Sequence, residues 1–172
     1  MIDGVDILTL APRPDHRGTL TTLYLRNAYS ALDLPQWNLV RSDAHVLRGM
    51  HAHLYYDEYY VPLAGPMFFA LADIRPRSPT YRQTMTLRWD GRDRVLLVPK
   101  GVAHGVYGEE PFMLLYGLSR PFDGRGELGC RFDDPELGLE WPTDTPVLSE
   151  KDEAAGSYGA LLAAYADAEA AL

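Results

Sequence analysis

Short apolar, β-prone runs, broken repeatedly by glycine and proline, fill the chain from Val5 to Leu118. Val5 to Leu10, Thr19 to Leu25, Gln36 to Ser42 and Glu58 to Leu63 read as strands. So do Met67 to Asp73, Gln83 to Arg88, Arg94 to Val98 and Phe112 to Leu118. Turns stand between them: Pro12 to Gly18, Ala64-Gly65-Pro66, and Arg75 to Thr80, where two prolines deny ladder hydrogen bonds. The Asp90-Gly91 pair suits a tight hairpin turn between its flanking strands. Ala28 to Leu34 suggests a short helical turn before Pro35. Short strands at this spacing build a sandwich or a barrel. Ser157 to Leu172 breaks the pattern. It is rich in alanine and leucine, Ser157 can cap it, and Tyr158, Leu161, Leu162 and Tyr165 recur at helical spacing.

Residues 1–172 fit one domain on length, with 47% hydrophobic residues to build its core and no internal repeat. The net charge of −8 argues against a phosphate-backbone binder, which needs a basic face. A few arginines inside a cavity can still hold a small anion. One cysteine, Cys130, excludes an intramolecular disulfide and a thiolate metal cluster, and reads as a buried hydrophobe. Met1-Ile2-Asp3-Gly4 lacks the blocks of a signal peptide, and no apolar run approaches a membrane span. The expectation is a cytoplasmic protein with a small-molecule partner, no nucleic acid and no membrane.

Three of the five histidines fall in two tight groups. The first is His51-Ala52-His53, followed by Glu58 and Gly65. The second is Pro99-Lys100-Gly101-Val102-Ala103-His104. Residues i and i+2 on a strand share a face, so His51 and His53 can both enter a barrel. Glu58 can reach the same space after a turn, and His104 can arrive from an opposing strand. Such imidazoles and a carboxylate can bind a divalent metal with positions left open. The spacing resembles the two motifs of metal-binding cupins, which implies an all-β, double-stranded β-helix or jelly roll. On that resemblance His51, His53, Glu58 and His104 would hold Fe, Mn, Ni or Zn.

A second resemblance spans almost the whole chain. Asp15-His16-Arg17-Gly18, Val46 to His51, Asp73-Ile74-Arg75, Ser78-Pro79-Thr80 and Val98 to Gly105 are similar to the dTDP-4-dehydrorhamnose 3,5-epimerase family, itself a cupin. Asp133-Asp134-Pro135 to Trp141-Pro142 and Leu148 to Asp152 extend the match. The family epimerises a nucleotide-linked 4-keto-6-deoxy sugar without a cofactor. The resemblance implies that His51 is the base and Asp152 its carboxylate partner. It places Arg48 and His104 near the sugar, Tyr116 on the cavity face, and Arg17, Gln36 and Asn38 around the nucleotide. It also implies a homodimer that exchanges its N-terminal strand, Thr19 to Leu25; the C-terminal helical segment, read from the residues themselves, spans 153–172.

The departures have a direction. The family has a lysine where this chain has Glu58, and a glutamine where it has His53. Its acid tyrosine falls near Phe122, and two nucleotide-contacting positions correspond to Leu20 and Thr22. The His-Ala-His stretch also resembles the sugar-nucleotide 3,4-ketoisomerases, cupins that use paired histidines without metal. The expected activity is therefore an epimerase or isomerase short of full 3,5-epimerisation. The alternative is a metal-dependent cupin enzyme, an isomerase, lyase or oxygenase, on another small molecule.

Overall fold

The computed structural model describes residues 1–27, 30–91 and 93–171. Its strands are β1 (Asp6–Thr9), β2 (Arg13–Asp15), β3 (Gly18–Leu20), β4 (Gln36–Ser42), β5 (Leu47–His53) and β6 (Glu58–Ala64). They continue as β7 (Met67–Asp73), β8 (Thr84–Trp89), β9 (Arg94–Val98), β10 (Val102–Tyr107), β11 (Phe112–Leu118) and β12 (Glu127–Gly129). A 3-10 turn (Pro135–Leu137) and helices α1 (Glu150–Glu153) and α2 (Tyr158–Ala170) follow.

Two antiparallel sheets face each other. One runs β1-β9-β6-β11-β4 and the other β12-β5-β10-β7-β8, while β2 and β3 pair only as a small hairpin. Alternation along the strands makes three apolar layers. Tyr60, Phe69, Leu71, Leu96, Val106 and Leu114 meet between the sheets. Ala70, Ala72 and Ala103 point outward, and their small size lets Tyr158, Leu161 and Tyr165 of α2 pack down on them. Tyr59, Val61 and Val95 form the third layer with Leu10 and Leu34. The architecture is the cupin barrel with a C-terminal helix. Ser157 caps α2, its side chain accepting from the Ala160 N–H.

Several expectations need correction. Asp90-Gly91 does not turn a hairpin. β8 pairs with β7 in one sheet, whereas β9 pairs with β1 and β6 in the other, so this connection crosses between sheets. Arg92 in that connection lies outside the described residues. Thr19 to Leu25 is strand only at its start, in β3, because its partner β2 is three residues long. Of the helical turn expected over Ala28 to Leu34, residues 28 and 29 lie outside the described residues, and residues 30–34 are not helical. In the C-terminal helical segment over 153–172 the helix is α2, at Tyr158–Ala170 as expected, while Ala154 to Ser157 are not helical, Glu153 ends α1, and Leu172 lies outside the described residues. Cys130 is buried, and burial, with Asp134 nearby, pushes its thiol up to about 12, which makes it inert.

Candidate active site

One cavity of about 310 Å³ opens between the sheets. Gln36, Asn38 and Val40 enter from β4, Arg48, His51 and His53 from β5, and Glu58 and Tyr60 from β6. His104 enters from β10 and Tyr116 from β11, while Phe122 and Glu127 close one side. The strand register explains the convergence. His104 lies directly across from His51, and Glu127 directly across from His53. Gly49 makes the first pairing feasible. Its φ is 126°, and a Cβ there would lie 2.6 Å from the Gly105 Cα and 2.7 Å from the His104 carbonyl. Gly49→Ala is expected to cost about 1–3 kcal/mol, read as a fall in thermal midpoint.

His51 is held by a carboxylate 101 residues away in sequence. A parallel bridge between Val46 and Val147 docks the C-terminal segment beside β5. Ser149 then caps α1, and its hydroxyl donates to Asp152 Oδ2 at 2.9 Å. The His51 Nε2–H donates to Asp152 Oδ1 at 2.5 Å, so Nδ1 keeps the lone pair. Burial pushes the Asp152 carboxyl up, but the His51 and Ser149 hydrogen bonds and the His51 charge hold it below its ordinary value. Asp152 is therefore an anion at neutral pH. Ser149→Ala is expected to lower kcat several-fold with KM little changed, because the cap orients Asp152 without touching the cavity. Steady-state kinetics check this.

Beyond this pair, Glu58 Oε2 sits 3.3 Å from His53 Nε2 and 2.9 Å from His104 Nε2. Both are ion-pair distances, yet neither contact has hydrogen-bond geometry, and Oε2 is buried without a hydrogen-bond partner. Tyr56 OH lies 2.7 Å from His53 Nδ1, and Tyr60 OH 2.8 Å from His104 Nε2. The His104 Nδ1–H donates to the Val102 carbonyl at 3.0 Å. Burial pushes Glu58 up, but the charges and contacts of His104 and His53 outweigh it and leave the carboxyl well below its ordinary range. Burial pulls His104 down, and Glu58 more than reverses it.

The structure thus brings His51, His53, Glu58, His104, Arg48, Gln36, Asn38 and Tyr116 to one cavity, with Asp152 behind His51. Two expectations fit less well. Among the described residues, only His53, Glu58 and His104 present ligand atoms within 4.8 Å of one another, and His51 stands outside that group with Nε2 turned to Asp152. Arg17 sits on the exposed β2–β3 hairpin, paired with Asp15 at 2.7 Å, away from the cavity lining. Sequence reasoning missed Glu127. Its carboxylate is 3.7 Å from His51 Nδ1 and also pairs with Lys151. Burial raises its pKa, and Lys151 and His51 bring it below the ordinary value. The short run Gly126-Glu127-Leu128-Gly129 gave no strand signal to place it.

A cupin barrel with a histidine–carboxylate pair at an open cavity defines an enzyme, and the comparisons narrow its class to epimerases. The chain belongs to the dTDP-4-dehydrorhamnose 3,5-epimerase family, whose profile matches residues 1–159. It is 32% identical over 165 residues to the dTDP-4-dehydrorhamnose 3-epimerase of Streptomyces niveus, covering 88% of this chain and 78% of that one. The crystal structure of NovW, a 4-keto-6-deoxy sugar epimerase of Streptomyces spheroides, superposes with a TM-score of 0.84 at 33% identity. That match covers 97% of this chain and 87% of NovW. The epimerase RmlC of Legionella pneumophila, solved with dTDP-4-keto-L-rhamnose, gives 0.87 at 29% identity over 95% of this chain and 93% of its own.

Proposed function

We propose that this enzyme epimerises a nucleotide-linked 4-keto-6-deoxy sugar at a single carbon, by removing a proton next to the ketone. The His51–Asp152 pair on the cavity wall carries the reading. A ketone acidifies the adjacent C–H, and the enolate left behind places negative charge on oxygen. With Nε2–H engaged by Asp152, His51 Nδ1 takes the proton. The imidazolium so formed lies between the carboxylates of Asp152 and Glu127. Arg48, anchored by its Nε–H to Ser42 Oγ at 2.9 Å, and His104 supply positive charge for the enolate oxygen. Gln36 and Asn38 offer amide groups to the nucleotide end.

Inversion needs a proton returned to the opposite face. Phe122, at the family's acid position, carries none. Tyr116 lines the cavity, stacked on Tyr60 with ring centroids 5.6 Å apart. Burial, with Glu58 nearby, raises its pKa, so it keeps a proton to give. The loss of the family's acid tyrosine near Phe122 supports inversion at one centre rather than two. The relative from Streptomyces niveus is itself named as a 3-epimerase.

A homodimer and a cytoplasmic setting belong to the same reading. Trp37 and Leu39 face outward from β4, an edge strand, at 37% and 51% exposure, and Leu20 of β3 is 69% exposed. An exchanged N-terminal hairpin covers such a face and carries Arg17 to the neighbouring copy's cavity. Among the described residues no helix is long and apolar enough to cross a membrane.

Incubation with dTDP-4-keto-6-deoxyglucose in heavy water tests the reading. One deuterium is expected, and NMR locates it at either C3 or C5. Comparable labelling at both carbons contradicts the single-centre assignment. No label with any nucleotide form overturns the reaction itself. Phe122→Tyr is expected to speed labelling at the second carbon by about 10-fold or more, part of the range a placed acid contributes.

A further inference from the structure

We infer that Val40, Phe69, Val106 and Leu114 form the pocket for the methyl group of the sugar, and so select against sugars that carry a hydroxyl at C6. The inference rests on the keto-sugar reading and adds to it the residues that read C6. Strand register places the four side chains. Between β11 and β4, Tyr116 lies opposite Asn38, and two residues along each strand Leu114 lies opposite Val40. On β10, His104 lies across from His51, and two residues further Val106 lies across from Arg48 on one side and Phe69 on the other. All eight line the cavity, which therefore passes from a polar layer holding the base to an apolar one.

The apolar layer is closed behind. Phe69, Val106 and Leu114 are buried, and Val40 packs against them. Tyr60 and Trp89 meet Phe69 edge-on, with ring centroids 5.9 and 5.8 Å away. A methyl entering this layer leaves water for hydrocarbon, which is favourable. A hydroxyl there loses its hydration, and these four side chains offer it no hydrogen bond in return. Arg48 sets the direction of the ring. It is assigned to the oxygen on C4, and Val106 is its neighbour across the strands. A ring with that oxygen at Arg48 turns either its C3 side or its C5 side to the apolar layer. C3 bears a hydroxyl and C5 bears the methyl, so the layer suits the C5 side.

Calorimetry on the full chain with dTDP, dTDP-glucose and dTDP-6-deoxyglucose tests this. The two sugars differ only by the oxygen on C6, and neither has a ketone, so binding is read without turnover. The deoxy sugar is expected to bind on the order of 10–100-fold more tightly, the discrimination an apolar pocket makes against an added hydroxyl. Val106→Thr keeps the side chain's shape and puts a hydroxyl into the layer. It should cut that ratio by about 5-fold or more while moving Kd for dTDP less than about 2-fold, whereas a general loss of structure would weaken all three ligands. Val40→Thr, at a half-buried position, is the second variant, and circular dichroism confirms the fold of each. A wild-type ratio below about 3-fold, or a ratio unchanged in both variants, overturns the inference. Failure of all three ligands to bind overturns instead the dTDP-sugar reading on which it rests, so the two failures are distinct.

Discussion

His51→Asn is expected to lower kcat for deuterium labelling of the keto sugar by about 10²–10⁴-fold, the range a positioned general base contributes. KM should move only a few-fold, because in the proposed mechanism the imidazole acts on the reacting C–H while Gln36, Asn38 and Arg48 are assigned to the rest of the substrate. Asp152→Asn should come close to the same loss. An asparagine amide at that position can donate to His51 Nε2, which favours the tautomer with its proton on Nδ1, where the lone pair is needed. The double variant should be little worse than either single one, since the two residues act as a unit. Stopped assays read by mass spectrometry give all three numbers. The pair also has an acid limit. The Asp152 pKa is lowered in the folded protein, so its contribution is full above the ordinary aspartate value and is lost as pH falls through the folded one. A His51→Asn enzyme within 10-fold of wild type would remove the base from the mechanism.

The second large effect concerns stability. Asp73, at the end of β7, is fully buried and binds Arg75 through Nε and Nη2, each at 2.8 Å. It also accepts from Thr80 Oγ1 at 2.6 Å and from Ser78 Oγ. Arg75 reaches on to the Asp3 carbonyl at 2.6 Å, so one carboxylate ties the Arg75–Thr80 loop and the N-terminus together. Removing one partner of a buried ion pair strands the other, and Asp73→Ala should cost about 3–5 kcal/mol. For a domain of this size that lowers the thermal midpoint by roughly 6–20 °C. The pH sign follows from the shift. Burial pushes the Asp73 carboxyl up, but Arg75, Ser78 and Thr80 pull it below its ordinary value. Its stabilisation is therefore present above the unfolded pKa and disappears as pH falls through the folded one. A midpoint within 2 °C of wild type, or about 1 kcal/mol or less, would show that the loop does not depend on this carboxylate.

Local chemistry in the sequence revealed the strands whose two faces are both apolar or strictly alternate. Gln36–Ser42, Met67–Asp73, Arg94–Val98 and Phe112–Leu118 are strands at the expected residues. Pairing was not legible. Nothing in Asp90-Gly91 shows that β8 and β9 belong to opposite sheets, because hairpin chemistry is local and sheet membership is not. The same limit applied to the site. His51 and His53 could be placed on one face by period alone, and Asp152 came through family resemblance. Glu127 was invisible because its strand has three residues and derives its position from β5. The separation of His51 from the His53–Glu58–His104 group depends on which ring nitrogen meets Asp152, a detail no spacing encodes.

The most direct measurement is a crystal structure of the enzyme with an unreactive dTDP-linked 6-deoxy sugar. The account requires the carbon beside the carbonyl position to lie within about 3–3.5 Å of His51 Nδ1, inside the barrel. A sugar ring seated outside the cavity, or presenting that carbon to a wall without His51, would contradict it.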